Sequence, residues 1–118
     1  MSLDLANITF DCDDAKVVGE FWSAALDRPI GALHTREATI LPGAPTYLFL
    51  RVPEPKTAKN RMHVDLLADD RRAEVARLVA LGATEVHDKD EWGVSWTVLT
   101  DPEGNELCVA QGPAGEGA

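Results

Sequence analysis

One short pattern occurs twice in this chain. Asn7-Ile8-Thr9-Phe10-Asp11-Cys12-Asp13-Asp14 aligns without a gap on His63-Val64-Asp65-Leu66-Leu67-Ala68-Asp69-Asp70, residue 7 on residue 63, an offset of 56. Ile8 falls on Val64, Phe10 on Leu66, and acidic pair on acidic pair. Alternation of apolar and polar residues is the period of a strand with one face packed. In the first copy Ile8, Phe10 and Cys12 form the packing face, and Asn7, Thr9 and Asp11 the other. The aspartates that close each copy suit a helix N-cap, because a carboxylate accepts from the free amides of a first turn. Helical spacing follows both: Val17, Val18, Phe21, Trp22 and Ala25, then Val75, Leu78 and Val79. Two copies at so long a period do not make a solenoid, which needs at least three stacked units. They predict two like halves about a pseudo-twofold.

The remaining elements repeat the plan. In the first half Pro29 stops the helix, and Gly19 inside it costs about 1 kcal/mol relative to alanine, so packing must hold it. Strands are predicted over 32–35, 37–41 and 47–52, with Pro42-Gly43-Ala44-Pro45 as a turn. In the second half a strand over 62–68 leads to a helix over 71–81, stopped by Gly82. Strands over 84–87, 96–99 and 106–110 follow, with 88–93 as a polar loop carrying Trp92 and 101–105 as a tight turn. The expected fold class is α+β: two βαβββ modules forming an open, eight-stranded, half-barrel-like cleft. Module one takes residues 4–53, the linker 54–60, module two 61–111 and a frayed tail 112–118, within a single domain 1–118.

Charge excludes some functions. Twenty acidic residues against eleven basic give a net charge of −9, which suits solubility and opposes nucleic-acid binding. No run of about 18 apolar residues offers a membrane span. Met1-Ser2-Leu3-Asp4 lacks the basic and apolar regions of a signal peptide. Two cysteines, Cys12 and Cys108, make no disulfide framework and read as buried free thiols. A cytoplasmic setting is the expectation.

The order of elements, together with particular residues, resembles the vicinal oxygen chelate superfamily: glyoxalases, bleomycin- and fosfomycin-resistance proteins and extradiol dioxygenases. The small glyoxalase-like branch is the nearest in character. The resemblance rests on residues 59–66 (KNRMHVDL), Trp92-Gly93, Thr97-Val98-Leu99, the run DPEGNELCV at 101–109, and Phe21-Trp22. It implies a small-molecule ligand and a homodimer and leaves the cofactor open between none and a divalent metal, which the metal-dependent members hold on the first and last strands of each module. Carried over, those positions fall on Asn7, His63 and Glu106, with a fourth within residues 48–51. The metal ligands would be His63 and Glu106. The set is incomplete, because Asn7 stands where histidine is usual.

Two readings of His63 and Glu106 remain open. They hold a metal that polarises a substrate oxygen, or they form a proton-transfer couple without one. A cleft histidine merely hydrogen-bonded, even to Glu106, is the plain alternative. Trp92, Trp96, Phe49 and Asn7 are the expected ligand-binding residues, with Tyr47 as a further aromatic wall. Asp65 shares a face with His63, and Cys108 with Glu106. The first reads as a solvated carboxylate and the second as an unactivated thiol. His34 and His87 read as surface residues at strand ends. A lyase, isomerase or dioxygenase is therefore weighed against a drug- or metabolite-sequestering protein without chemistry.

Overall fold

The computed structural model describes residues 5–91 and 93–112. These fall into two compact units, divided between Thr57 and Ala58. The first unit contains β1 (Asn7–Cys12), α1 (Ala15–Leu26), β2 (Ala38–Leu41) and β3 (Thr46–Arg51). The second contains β4 (Val64–Ala68), α2 (Arg71–Leu81), β5 (Thr84–Glu91), β6 (Val94–Thr100) and β7 (Glu106–Gln111). The sheets are β1-β3-β2 and β4-β7-β6-β5, each open at both edges. In both units the first strand pairs parallel with the last, and the last antiparallel with the one before it.

The repeat appears at the predicted offset. Asp14 caps α1, its Oδ1 accepting from Lys16 N and Val17 N. Asp70 caps α2 by accepting from Ala73 N. In the first unit Ile8, Phe10 and Cys12 turn toward α1, as the alternation requires. Phe10 meets Trp22 at 5.3 Å and Phe49 at 5.1 Å between ring centroids. Of the predicted second-helix contacts Val75 and Leu78 are buried, whereas Val79 is exposed.

The expectation of eight strands is corrected: the described residues form seven. The strand predicted over 32–35 is a single bridge, His34 to Thr39. Gly31 and Leu33 exchange backbone hydrogen bonds with Ile40 there, but the chain does not hold a continuous ladder. The predicted loop over 88–93 is corrected as well. β5 continues to Glu91 and pairs with β6 up to Glu91–Val94. Its charged residues concealed a strand whose side chains are exposed from end to end. Backbone pairing with β6 carries it, together with Asp88, which accepts from Thr97 Oγ1, Arg71 and Arg72. No helix among the described residues is long and apolar enough to cross a membrane.

Candidate functional site

The second sheet has two unlike faces. Thr97, Leu99, Leu107 and Val109 are buried on the side that packs on α2. The intervening residues Trp96, Val98, Thr100, Glu106, Cys108 and Ala110 face the other way, and with His63, Asp65, Lys59, Val86, His87, Lys89 and Val94 they line a hollow of about 840 Å³. A volume in this range accommodates a drug-sized molecule. Its wall is mainly apolar; Lys59, His63, Asp65 and Glu106 gather where β4 and β7 begin, and His87 and Lys89 lie on β5.

Strand register places those groups. β4 and β7 are parallel with Val64 level with Leu107 and Asp65 with Cys108. One residue earlier on each strand puts His63 level with Glu106. The turn before β7 is fixed by Asp101, buried, whose Oδ1 accepts from Glu103 N at 2.8 Å and Asn105 N at 2.9 Å. Gly104, at φ +88°, supplies the conformation that the turn needs. Glu106 then starts β7, and its Oε1 accepts from Asn60 N at 2.6 Å, pinning the segment that leads to His63.

His63 and Glu106 thus line one hollow, yet His63 has a different close partner. Its Nδ1 is 3.0 Å from Asp65 Oδ1 and 4.0 Å from Cys108 Sγ. Burial pushes the Cys108 thiol above its ordinary pKa, and the negative charge and hydrogen bond of Asp65 add to the shift. Lys59 opposes it in part. In the absence of a further cation Cys108 is a protonated thiol at neutral pH.

Other expected residues lie elsewhere. Phe49 is fully buried between β3 and α1, so it is core of the first unit and not a ligand wall. Parallel register with β1 puts it on the Phe10 side of the sheet. Tyr47 shares that side and lies under Arg28, whose guanidinium carbon is 4.8 Å from the ring centroid. Asn7 is exposed at the start of β1. Trp96 lines the hollow, and Trp92 lies outside the described residues. His34 is partly buried, with Nε2 2.9 Å from Glu20 Oε2. His87 stands within β5 on the lined face, not at a strand end. Period two signalled Asp65 and Cys108; only the full length of β5 could have signalled His87, and its charges hid that length.

The fourth carried-over position is also corrected. Asn7 is level with Thr46, just as His63 is level with Glu106, so residues 48–51 lie too far along the strand. A neutral amide and a hydroxyl thus stand at the first unit's two positions. Only His63 and Glu106 remain as strong donors, fewer than the three protein ligands of a catalytic site. Glu106 already serves the Asn60 amide. The ligand set that the resemblance implies does not fit a resident divalent metal here.

The pairing pattern and the lined sheet face define a glyoxalase-like protein. Residues 7–110 match the model of the glyoxalase-like domain family, and the chain belongs to that family, within the vicinal oxygen chelate superfamily. No curated protein matches the sequence. Among solved structures it is similar to a glyoxalase/bleomycin resistance protein/dioxygenase family enzyme from Burkholderia phytofirmans PsJN, with TM-score 0.75, 16% identity and coverage of 92% of this chain and 98% of that one. It is similar also to a glyoxalase/bleomycin resistance protein from Albidiferax ferrireducens T118, with TM-score 0.64, 21% identity and coverage of 91% and 98%. A lactoylglutathione lyase from Agrobacterium tumefaciens gives TM-score 0.66, 18% identity and coverage of 92% and 93%. At such identities the likeness is one of fold.

Proposed function

We propose that this protein binds a small, partly aromatic, oxygen-bearing molecule on the lined face of its second sheet. The observation that carries the reading is the hollow itself: about 840 Å³, walled by Trp96, Val86, Val94, Val98 and Ala110, with His63, Asp65 and Glu106 gathered where β4 and β7 begin. Apolar walls give affinity through area removed from water, and a few placed polar groups fix orientation. Trp96 offers its ring to a planar group. His63, Glu106 and Thr100 offer hydrogen bonds to ligand oxygens.

A second reading is favoured by His63 and Glu106 lining the same hollow. Under it the protein is a lyase, isomerase or dioxygenase whose carboxylate and imidazole exchange protons with a bound substrate. One experiment separates the two. A panel of catechols, glycopeptide antibiotics and the hemithioacetal of methylglyoxal with glutathione is titrated by calorimetry and assayed for turnover. Stoichiometric binding that Trp96→Ala abolishes, without turnover, supports the binder. Turnover lost in Glu106→Gln supports the enzyme. A panel that neither binds nor reacts removes both.

A further inference from the structure

We propose that His63, Asp65 and Cys108 form a thiolate-containing site for a borderline-soft divalent cation such as zinc or cobalt, sharing only His63 with the ligand set that the resemblance implies. Their donor atoms lie within 4.8 Å of one another, and all three residues line the hollow of the second unit. The placement follows from backbone register. His63 immediately precedes β4 and Asp65 stands two residues on, within it, and both line the same hollow. Asp65 is level with Cys108 on the neighbouring parallel strand.

Spacing and charge both suit such an ion. Metal–nitrogen and metal–sulfur bonds of about 2.0 and 2.3 Å at a tetrahedral centre put N and S about 3.5 Å apart. His63 Nδ1 is 4.0 Å from Cys108 Sγ and 3.0 Å from Asp65 Oδ1, and all three donors lie within 4.8 Å of one another, so side-chain rotation alone draws them to that spacing. A carboxylate, a thiolate and a neutral imidazole together neutralise a divalent charge. Imidazole with sulfur selects zinc or cobalt over magnesium and calcium, which take oxygen. Three protein ligands leave a coordination position for a donor atom from the hollow.

The three side chains hold the ion without any organic ligand, so the test uses the metal alone. Chelator-treated protein is titrated with cobalt(II), and the sulfur-to-cobalt charge-transfer band is followed in wild type, Cys108→Ser, Asp65→Asn, Glu106→Gln and Cys12→Ser. The expected result is one cobalt per chain, with a band lost in Cys108→Ser, binding lost or weakened at least tenfold in Asp65→Asn, and both retained in Cys12→Ser and Glu106→Gln. X-ray absorption of the zinc-loaded wild type needs no variant, and one sulfur neighbour is expected. Absence of saturable cobalt binding, a band that survives Cys108→Ser, loss of binding in Glu106→Gln, or a zinc shell of nitrogen and oxygen only would each overturn the proposal.

Discussion

The two units share a chain plan and spend their side chains differently. In the first, aromatic residues go under the helix: Phe21, Trp22 and Phe49 are buried there with Phe10 beside them. In the second, the helix side is aliphatic, built from Val75, Leu78, Leu99, Leu107 and Val109, and the described aromatic, Trp96, lies on the opposite face. α1 buries five residues and α2 two. A duplicated βα pattern therefore sets pairing and caps, whereas the residues at equivalent positions decide which unit is scaffold and which presents a lined face. The comparison predicts that the first unit is sensitive to loss of volume and the second to loss of surface chemistry.

The largest expected effect tests that division directly. Phe49→Ala should destabilise by about 3–5 kcal/mol, the range for deleting a buried aromatic ring. Trp96→Ala removes a partly exposed ring and should change the denaturation midpoint far less, while it removes ligand binding. Chemical denaturation of both variants, with calorimetric titration of the second, gives the answer. Similar losses of stability in the two would mean that Trp96 is core and the hollow a packing defect.

Helix packing offers a sharper contrast at a smaller magnitude. At the offset of 56, Gly19 of α1 corresponds to Val75 of α2, and both are buried. A Cβ on Gly19 would come within 2.5 Å of Thr39 Cγ2 and 2.8 Å of its Cβ. Glycine is thus needed for close approach of α1 to β2, whereas α2 accommodates a valine at the matching place. Gly19→Ala should gain about 1 kcal/mol of helix propensity but lose about 1–3 kcal/mol to overpacking. A net fall in thermal midpoint is expected. A rise would show that α1 has room for the added methyl group.

Much of this is legible in the sequence. Both helices, the repeat, and caps at Asp70 and at one of Asp13 and Asp14 follow from side-chain period and capping chemistry, because those signals act over a few residues. So does the shared face of His63 and Asp65. Phe49 was misplaced because alternation says that a residue faces one side of a sheet, not which side carries the helix. Its register against Phe10 decides that, and register is a contact between residues 39 positions apart. β5 was shortened because Asp88, Lys89, Asp90 and Glu91 are poor strand formers, and pairing with β6 overrides that preference. His63 was paired in expectation with Glu106; the strand start gives it Asp65 instead, and gives Glu106 the Asn60 amide.

The smallest expected effect concerns what holds that exposed strand in the second unit. Asp88 has a carboxyl pKa below its ordinary 3.8, chiefly through the hydrogen bond from Thr97, then through the charges of Arg72 and Arg71. Its folded-state pKa is the lower one, so the unfolded chain takes up the proton first as pH falls. The stabilisation is accordingly present in full above the unfolded value and is lost as pH drops through the folded one. Asp88 is solvated, so the gain is modest and salt weakens it. Denaturation midpoints of wild type and Asp88→Asn should differ slightly at pH 7 and converge below pH 3.8. Amide exchange along β5 should quicken in the variant at pH 7, and exchange in the first unit should not change. An offset that is as large at low pH as at pH 7 would mean that the Thr97 hydroxyl and backbone pairing hold the strand, without help from the carboxylate charge.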